Sequence, residues 1–206
     1  MHLLLTDRLT CPRCGPDFGL VLLADELEDR RLLKGSLGCS NCRERYPVVG
    51  GFGDLRPPPR EAIPASATDA PSQDEAVRLG ALLGVTKGPG EVALLGPLAL
   101  NGRALAALIP GVEVVCVGSS VRGWPEEAGV SRLTSGPRLP FFSGVMRGVA
   151  LSGAGDEGLL DEAVRILARG GRLVVVEASE RSEPELVAHG LELVLHEGSV
   201  LVARRP

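Results

Sequence analysis

Leu160-Asp161-Glu162-Ala163-Val164-Arg165-Ile166-Leu167-Ala168-Arg169-Gly170-Gly171-Arg172-Leu173-Val174-Val175-Val176 is the stretch that decides the fold class. Its first half belongs to an amphipathic helix expected over residues 156–169, with Leu159, Leu160, Ala163, Val164 and Leu167 on one stripe. The glycine pair stops that helix. Residues 172–177 then run as an unbroken apolar strand of the kind buried on both faces. Helix, double-glycine stop and buried strand together point to an α/β protein with a parallel sheet between two helical layers.

The chain around this unit repeats the alternation. Ser72-Gln73-Asp74-Glu75 is a capping box opening a helix over residues 74–85. Glu91-Val92-Ala93-Leu94-Leu95 reads as a buried strand, and residues 102–109 as a helix stopped by Pro110-Gly111. Glu113-Val114-Val115-Cys116-Val117 is the next strand. Weaker apolar runs follow at 130–133 and 148–151, and a short helix at 182–189. Runs at 191–196 and 199–204 flank Glu197-Gly198 as a tight hairpin. That antiparallel pair closes one edge and completes a seven-strand pattern over residues 74–206.

The first 56 residues are of another kind. Cys11-Pro12-Arg13-Cys14 and Cys39-Ser40-Asn41-Cys42 are two CxxC knuckles whose spacing brings four thiolates to one tetrahedral centre. Between them, Leu20-Val21-Leu22-Leu23 and Arg31-Leu32-Leu33-Lys34-Gly35-Ser36-Leu37 are strand-like runs around an acidic turn at 25–29. A hairpin with a knuckle at each end is a zinc ribbon, with Cys11, Cys14, Cys39 and Cys42 as ligands of a structural zinc. A thioredoxin-type CxxC would open a helix, whereas Pro12 and Gly15-Pro16 make this one a turn. A module this small depends on its metal for much of its folding energy. Pro57-Pro58-Pro59 begins a proline-rich linker over 57–73, which divides the chain into a ribbon (1–56) and a Rossmann-like domain (74–206).

Composition narrows the function. Apolar residues make up 44% and charged residues 23%, an ordinary globular balance, while aromatics are only 3%. Base-stacking platforms for single-stranded nucleic acid are therefore not expected. The net charge of −4 divides as +1 over residues 1–60 (nine Lys/Arg, eight Asp/Glu) and −5 over the rest (13 against 18). Bulk charge gives no sign of a nucleic-acid-binding protein. No apolar run is long enough to cross a membrane. Met1-His2-Leu3-Leu4-Leu5 stops at Thr6-Asp7 without the basic start of a signal peptide. Metal-paired cysteines with Cys116 left over fit a reducing cytoplasm.

Two resemblances to known families refine these expectations. Leu9-Thr10-Cys11-Pro12-Arg13-Cys14, Leu37-Gly38-Cys39-Ser40-Asn41-Cys42 and the tail Tyr46-Pro47-Val48-Val49-Gly50-Gly51-Phe52-Gly53-Asp54-Leu55 resemble the small zinc-ribbon activators of methyltransferases. Those activators partner enzymes acting on tRNA, ribosomal RNA and release factors, and similar ribbons begin some rRNA methyltransferases. Residues 74–206 resemble the class I S-adenosylmethionine (SAM) methyltransferase fold. The resemblance is carried by Leu139-Pro140-Phe141, by Gly148-Val149-Ala150-Leu151-Ser152 and by the helix–glycine–strand unit quoted first.

Against that family the cofactor positions depart together. Leu94 stands where the first strand should end in an acid, and Leu98 and Leu100 replace loop glycines. Gly118 stands where the second strand should offer a carboxylate to the ribose hydroxyls. Ser143-Gly144-Val145-Met146-Arg147-Gly148 also lacks the usual acid before the fourth strand. A missing ribose carboxylate costs roughly 1–3 kcal/mol of pairing. SAM is therefore expected only if Gly96 and Gly118 frame an unusual pocket, and no catalytic residue is assigned. The resulting expectation is a pseudo-methyltransferase serving as a zinc-binding scaffold for another protein, a methyltransferase or a translation component. An active SAM-dependent RNA methyltransferase is the alternative. His189 and His196 have no catalytic company in the sequence; Trp124 reads as a loop plug, and Arg43, Arg45, Arg56 and Arg60 as a solvated basic rim.

Overall fold

The computed structural model describes residues 1–63, 72–154 and 158–206. Proline-broken and cysteine-bearing segments give the N-terminal antiparallel strands β1 (Thr10–Cys11), β2 (Gly15–Glu28), β3 (Arg31–Cys39), β4 (Arg45–Val49) and β5 (Phe52–Leu55), with one short helical turn, α1 (Leu3–Thr6). The apolar runs beyond the linker form β6 (Glu91–Leu95), β7 (Glu113–Val117), β8 (Val130–Ser135), β9 (Met146–Ser152) and β10 (Leu167–Val176), closed by the hairpin β11 (Glu192–Glu197) and β12 (Val200–Arg204). The helices among them are α2 (Gln73–Leu83), α3 (Gly102–Leu108), α4 (Leu159–Ile166) and α5 (Ser182–Ala188).

All of these strands lie in one twelve-stranded sheet, ordered β1-β2-β3-β4-β5-β8-β7-β6-β9-β10-β12-β11. From β8 onward the order is doubly wound: β6 pairs in parallel with both β7 and β9, so the strand order reverses between β6 and β9. β12 inserts antiparallel between β10 and β11. The seven-strand α/β pattern read from the sequence is present, with helices on both faces. Val92 and Leu94 face the layer with Leu79 and Leu83 of α2 and Leu105 of α3. Ala93 and Leu95 face the layer with Leu160 and Ala163 of α4 and Leu186 of α5.

The N-terminal strands extend the same sheet. β5 pairs in parallel with β8, from Phe52 opposite Arg132 to Leu55 opposite Ser135. A second seam joins the first knuckle to the segment before β9: Thr10 N–H donates to Pro140 O (2.9 Å) and Phe142 N–H to Arg8 O (3.0 Å). One apolar core runs across the seam, from Cys11, Leu37, Tyr46 and Leu55 to Leu133, Phe141, Leu151 and Leu173. Buried charges lock it. Arg132 donates to Gly50 O (2.6 Å) and pairs with Glu126 (3.0 Å), which also binds Arg31 and the Met1 amine. Arg31 in turn reaches Glu113 (3.0 Å).

Two local expectations shift. The capping serine holds, Ser72 Oγ accepting from Glu75 N–H at 3.2 Å, and α2 ends at Gly84 in the left-handed region (φ 65°). The helix expected over 156–169 is shorter: residues 155–157 lie outside the described residues, and α4 ends at Ile166. Leu167 is already extended and pairs with Met146, while Arg205 takes over the freed carbonyls of Val164 (3.1 Å) and Leu167 (2.7 Å). Ladder pairing and an arginine cap outweigh helical periodicity there. Of the linker, residues 64–71 lie outside the described residues. Its first part packs on the body: Ile63 is buried, and its carbonyl accepts from Arg122 (2.8 Å).

Candidate metal centre and strand-end site

The knuckles converge because β1 and the end of β3 sit on opposite sides of β2. The four sulfurs of Cys11, Cys14, Cys39 and Cys42 all lie within 4.8 Å of one another. Cys11 and Cys42 are 3.7 Å apart, and Cys14 and Cys39 3.8 Å. Four sulfurs about 2.3 Å from a zinc ion sit about 3.8 Å apart in a tetrahedron, so this set could hold zinc as a closed, four-ligand site. Outer contacts orient the sulfurs: Cys14 N–H donates to Cys11 Sγ (3.4 Å), and Asn41 Nδ2 to Cys14 Sγ (3.3 Å). Tyr46 Oη stands 3.4 Å from Cys11 Sγ, and Arg60 stacks on the Tyr46 ring at 5.1 Å.

Electrostatics argue for a cation at the same point. Burial alone would raise the Cys11 thiol, but hydrogen bonds from Tyr46 and backbone amides bring it down to about 7. Burial and the neighbouring sulfurs push Cys42 up to about 12. Four thiols this close cannot all ionise against one another, and a divalent ion removes the conflict. The remaining thiol, Cys116, is fully buried on β7 and pushed up to about 12 by burial. Its sulfur packs where a Gly102 side chain would start, so it is a core residue.

The second site lies at the carboxyl ends of β6 and β7, beside the point where the sheet order reverses. Gly96 (φ 59°) turns the chain directly into a 3-10 helix, Gly96–Asn101, which buries Leu98 and Ala99. Gly118 faces it closely: a β-carbon there would stand 3.2 Å from Gly96 O. The structure thus brings Gly96 and Gly118 together, backbone against backbone. The adjoining turn is Ser119–Val121.

A cleft of about 580 Å³ opens on the α2 side of the same strand ends. Leu79, Leu82, Leu98 and Leu100 form apolar walls, with Asn101, Ser152 and Glu177 among the polar groups. Asn101 is only 2% exposed, and its Oδ1 has no partner among the described residues. Ser152 Oγ donates to Glu177 (2.6 Å), and Glu177 holds a left-handed backbone (φ 51°) that is strained for a side-chain-bearing residue. Sequence reading missed these three. The one available signal was their position at strand and turn ends on the switch side.

Other singled-out residues are accounted for structurally. Trp124 is half-buried against the α2–α3 layer, with Arg103 over its ring at 5.8 Å. Arg56 pairs with Asp54 (2.7 Å) and Arg60 with Glu44 (2.9 Å), so half of the basic rim is neutralised internally. His189 contacts Asp161 (2.8 Å) and His196 contacts Glu183 (2.7 Å), both at the surface. No helix among the described residues is long and apolar enough to cross a membrane.

No protein-family model and no curated protein matches the chain. Solved structures do. The tRNA (m1A58) methyltransferase TrmI from Aquifex aeolicus aligns with a TM-score of 0.50 at 10% identity, over 71% of this chain and 77% of that one. A SAM-dependent methyltransferase from the same organism aligns at 0.45 and 12% identity, over 64% and 97%. A chain of the Haloferax volcanii complex containing the Trm112 methyltransferase activator aligns at 0.43 and 20% identity, over 60% and 72%. At these identities the likeness is one of fold: the chain carries a Rossmann-like, methyltransferase-type sheet, with a small cysteine-bearing module at its N-terminal side.

Proposed function

We propose that this chain is a non-catalytic scaffold: a methyltransferase-type sheet that has lost SAM binding, stabilised by a structural zinc on Cys11, Cys14, Cys39 and Cys42. The carrying observation is the closed apposition of Gly96 and Gly118, where a β-carbon at 118 would stand 3.2 Å from Gly96 O. SAM needs a ribose acceptor and room for its backbone approach at that point. Gly118 stands at the acceptor position and offers no carboxylate, and buried Leu98 and Ala99 stiffen the loop. A methyltransferase-like module for the ribbon to engage is supplied in cis, since β5 already occupies the edge of β8.

The remaining partner is another protein, associated with methyltransferase or translation machinery and met in a reducing cytoplasm. Val21, Leu23, Pro47 and Val49 share one outward face of the ribbon by strand register, and Val21 and Val49 are 53% and 70% exposed. Ser36 and Lys34 of β3 lie between them by register, and a mixed apolar and polar face of this kind suits protein contact.

A second reading, an active SAM-dependent methyltransferase acting on RNA, is favoured by one observation: the strand-end cleft with its unpartnered Asn101. The two readings separate in a transfer assay. Zinc-loaded protein given methyl-labelled SAM and total RNA is expected to incorporate no label above a heat-denatured control. Incorporation would establish the enzyme and overturn the scaffold.

A further inference from the structure

At the opposite end of the sheet, where β9 and β10 begin, four arginines enclose a second cleft of about 340 Å³: Arg147, Arg169, Arg172 and Arg204. Its apolar floor is Leu83 and Val85, and among the described residues no carboxylate lines it. Among the described residues none of the four arginines forms an ion pair. In a chain of net charge −4 this is a pronounced local reversal of sign.

The arrangement is costly without a ligand. Arg172 and Arg204 are direct register partners on β10 and β12, so two like charges leave the sheet on the same side. Arg147 stands one residue before Gly148, the partner of Arg172 on β9. Glu192 is opposite Arg204 on its other flank and does not close an ion pair with it.

Two of the four are also held in place. Arg147 Nη1 donates to Lys87 O (2.8 Å) and Pro89 O (2.6 Å), and Arg172 Nη1 contacts Leu82 O (3.4 Å). Gly84 permits this: a β-carbon there would sit 2.6 Å from the Arg172 guanidinium. Each pinned guanidinium keeps its other N–H groups uncommitted. Arg169 and Arg204 stand exposed at the rim. A planar fork of donors is the group that matches a tetrahedral oxyanion two oxygens at a time.

We propose that this cleft is an anion site for a small phosphate-bearing molecule, with Arg147 and Arg172 binding from the floor and Arg169 and Arg204 from the rim. Its volume is at the small end of ligand sites and suits one phosphate and a short body. Among the described residues no aromatic lines it, and the net negative charge of the chain disfavours a polyanion laid across the molecule. The assignment does not depend on whether the chain transfers methyl groups.

Calorimetric titration at fixed ionic strength tests it, with inorganic phosphate, glycerol 3-phosphate and a ten-nucleotide RNA lacking terminal phosphates as probes. Saturable binding of both phosphates is expected, weakened about tenfold or more in Arg169→Gln/Arg204→Gln. That variant should retain its metal and, in phosphate-free buffer, melt no lower than the native chain, because it relieves repulsion. Absence of saturable phosphate binding, or equal binding by the variant, would overturn the site. RNA binding more than tenfold tighter than glycerol 3-phosphate, and lost in the same variant, would overturn its assignment to a small ligand.

Discussion

Single residues here do work that their type conceals. Arg132 sits in an apolar run and is 1% exposed, yet it is the bolt of the junction, serving Gly50 O and Glu126. Glu126 binds it, Arg31 and the Met1 amine together. Burial would raise the Glu126 carboxyl, but hydrogen bonds from the Met1 amine and Arg31 outweigh burial and hold it below the usual carboxylate range. A depressed carboxyl contributes stability that is fully present above its unfolded value of about 4.3 and lost as pH falls through its folded value. Glu126→Gln should therefore cost about 3 kcal/mol at neutral pH, with the difference from native shrinking as pH falls below the unfolded value of about 4.3. Glu127→Gln, which breaks the exposed pair with Arg103, should cost under about 1 kcal/mol. Urea denaturation across pH measures both.

Gly102 supplies a sharper case. Alanine is the better helix former, yet its methyl group there would overlap the Cys116 sulfur. The expected net effect is destabilisation by about 1–3 kcal/mol. Shortening the partner should remove the conflict, leaving Gly102→Ala/Cys116→Ala no less stable than Cys116→Ala. Thermal melts of the four proteins decide it, and additive losses would show that the glycine is not there for the sulfur.

Elements show how far periodicity reaches. The capping serine, the buried strands β6 and β7 and the closing hairpin were legible because each rests on local pattern. The end of α4 was not, since Leu167 satisfies its backbone by pairing with Met146, a contact invisible to a helical stripe. The pairing of β5 with β8 was equally hidden: the strands are about eighty residues apart, and edge selection is not written in either one. If that pairing carries the junction, Leu55→Ala and Leu133→Ala, both fully buried, should each cost about 2–5 kcal/mol. Each should also loosen the ribbon, read as faster amide exchange in β3 and β4. Exchange unchanged in the ribbon would mean that the two parts fold independently.

At the scale of the molecule, one core crossing from the cysteine module into the Rossmann layer ties the cysteine cluster to the stability of the whole fold. The gathering of four cysteine sulfurs at one point was legible from spacing alone, whereas the cleft with Asn101, Ser152 and Glu177 was not, because it is assembled from three separate strand and turn ends. Chelation of the metal, or Cys39→Ser, should lower the melting temperature of the entire chain in one transition. Two separate transitions would show a ribbon that melts alone.

The central claim, a methyltransferase-type sheet closed to its cofactor, rests on Gly96 and Gly118. Isothermal titration of SAM and S-adenosylhomocysteine into protein carrying one zinc per chain tests it most directly. No heat of binding up to millimolar ligand is expected. Micromolar binding of either compound would contradict the account and make the chain an enzyme with an unusual pocket.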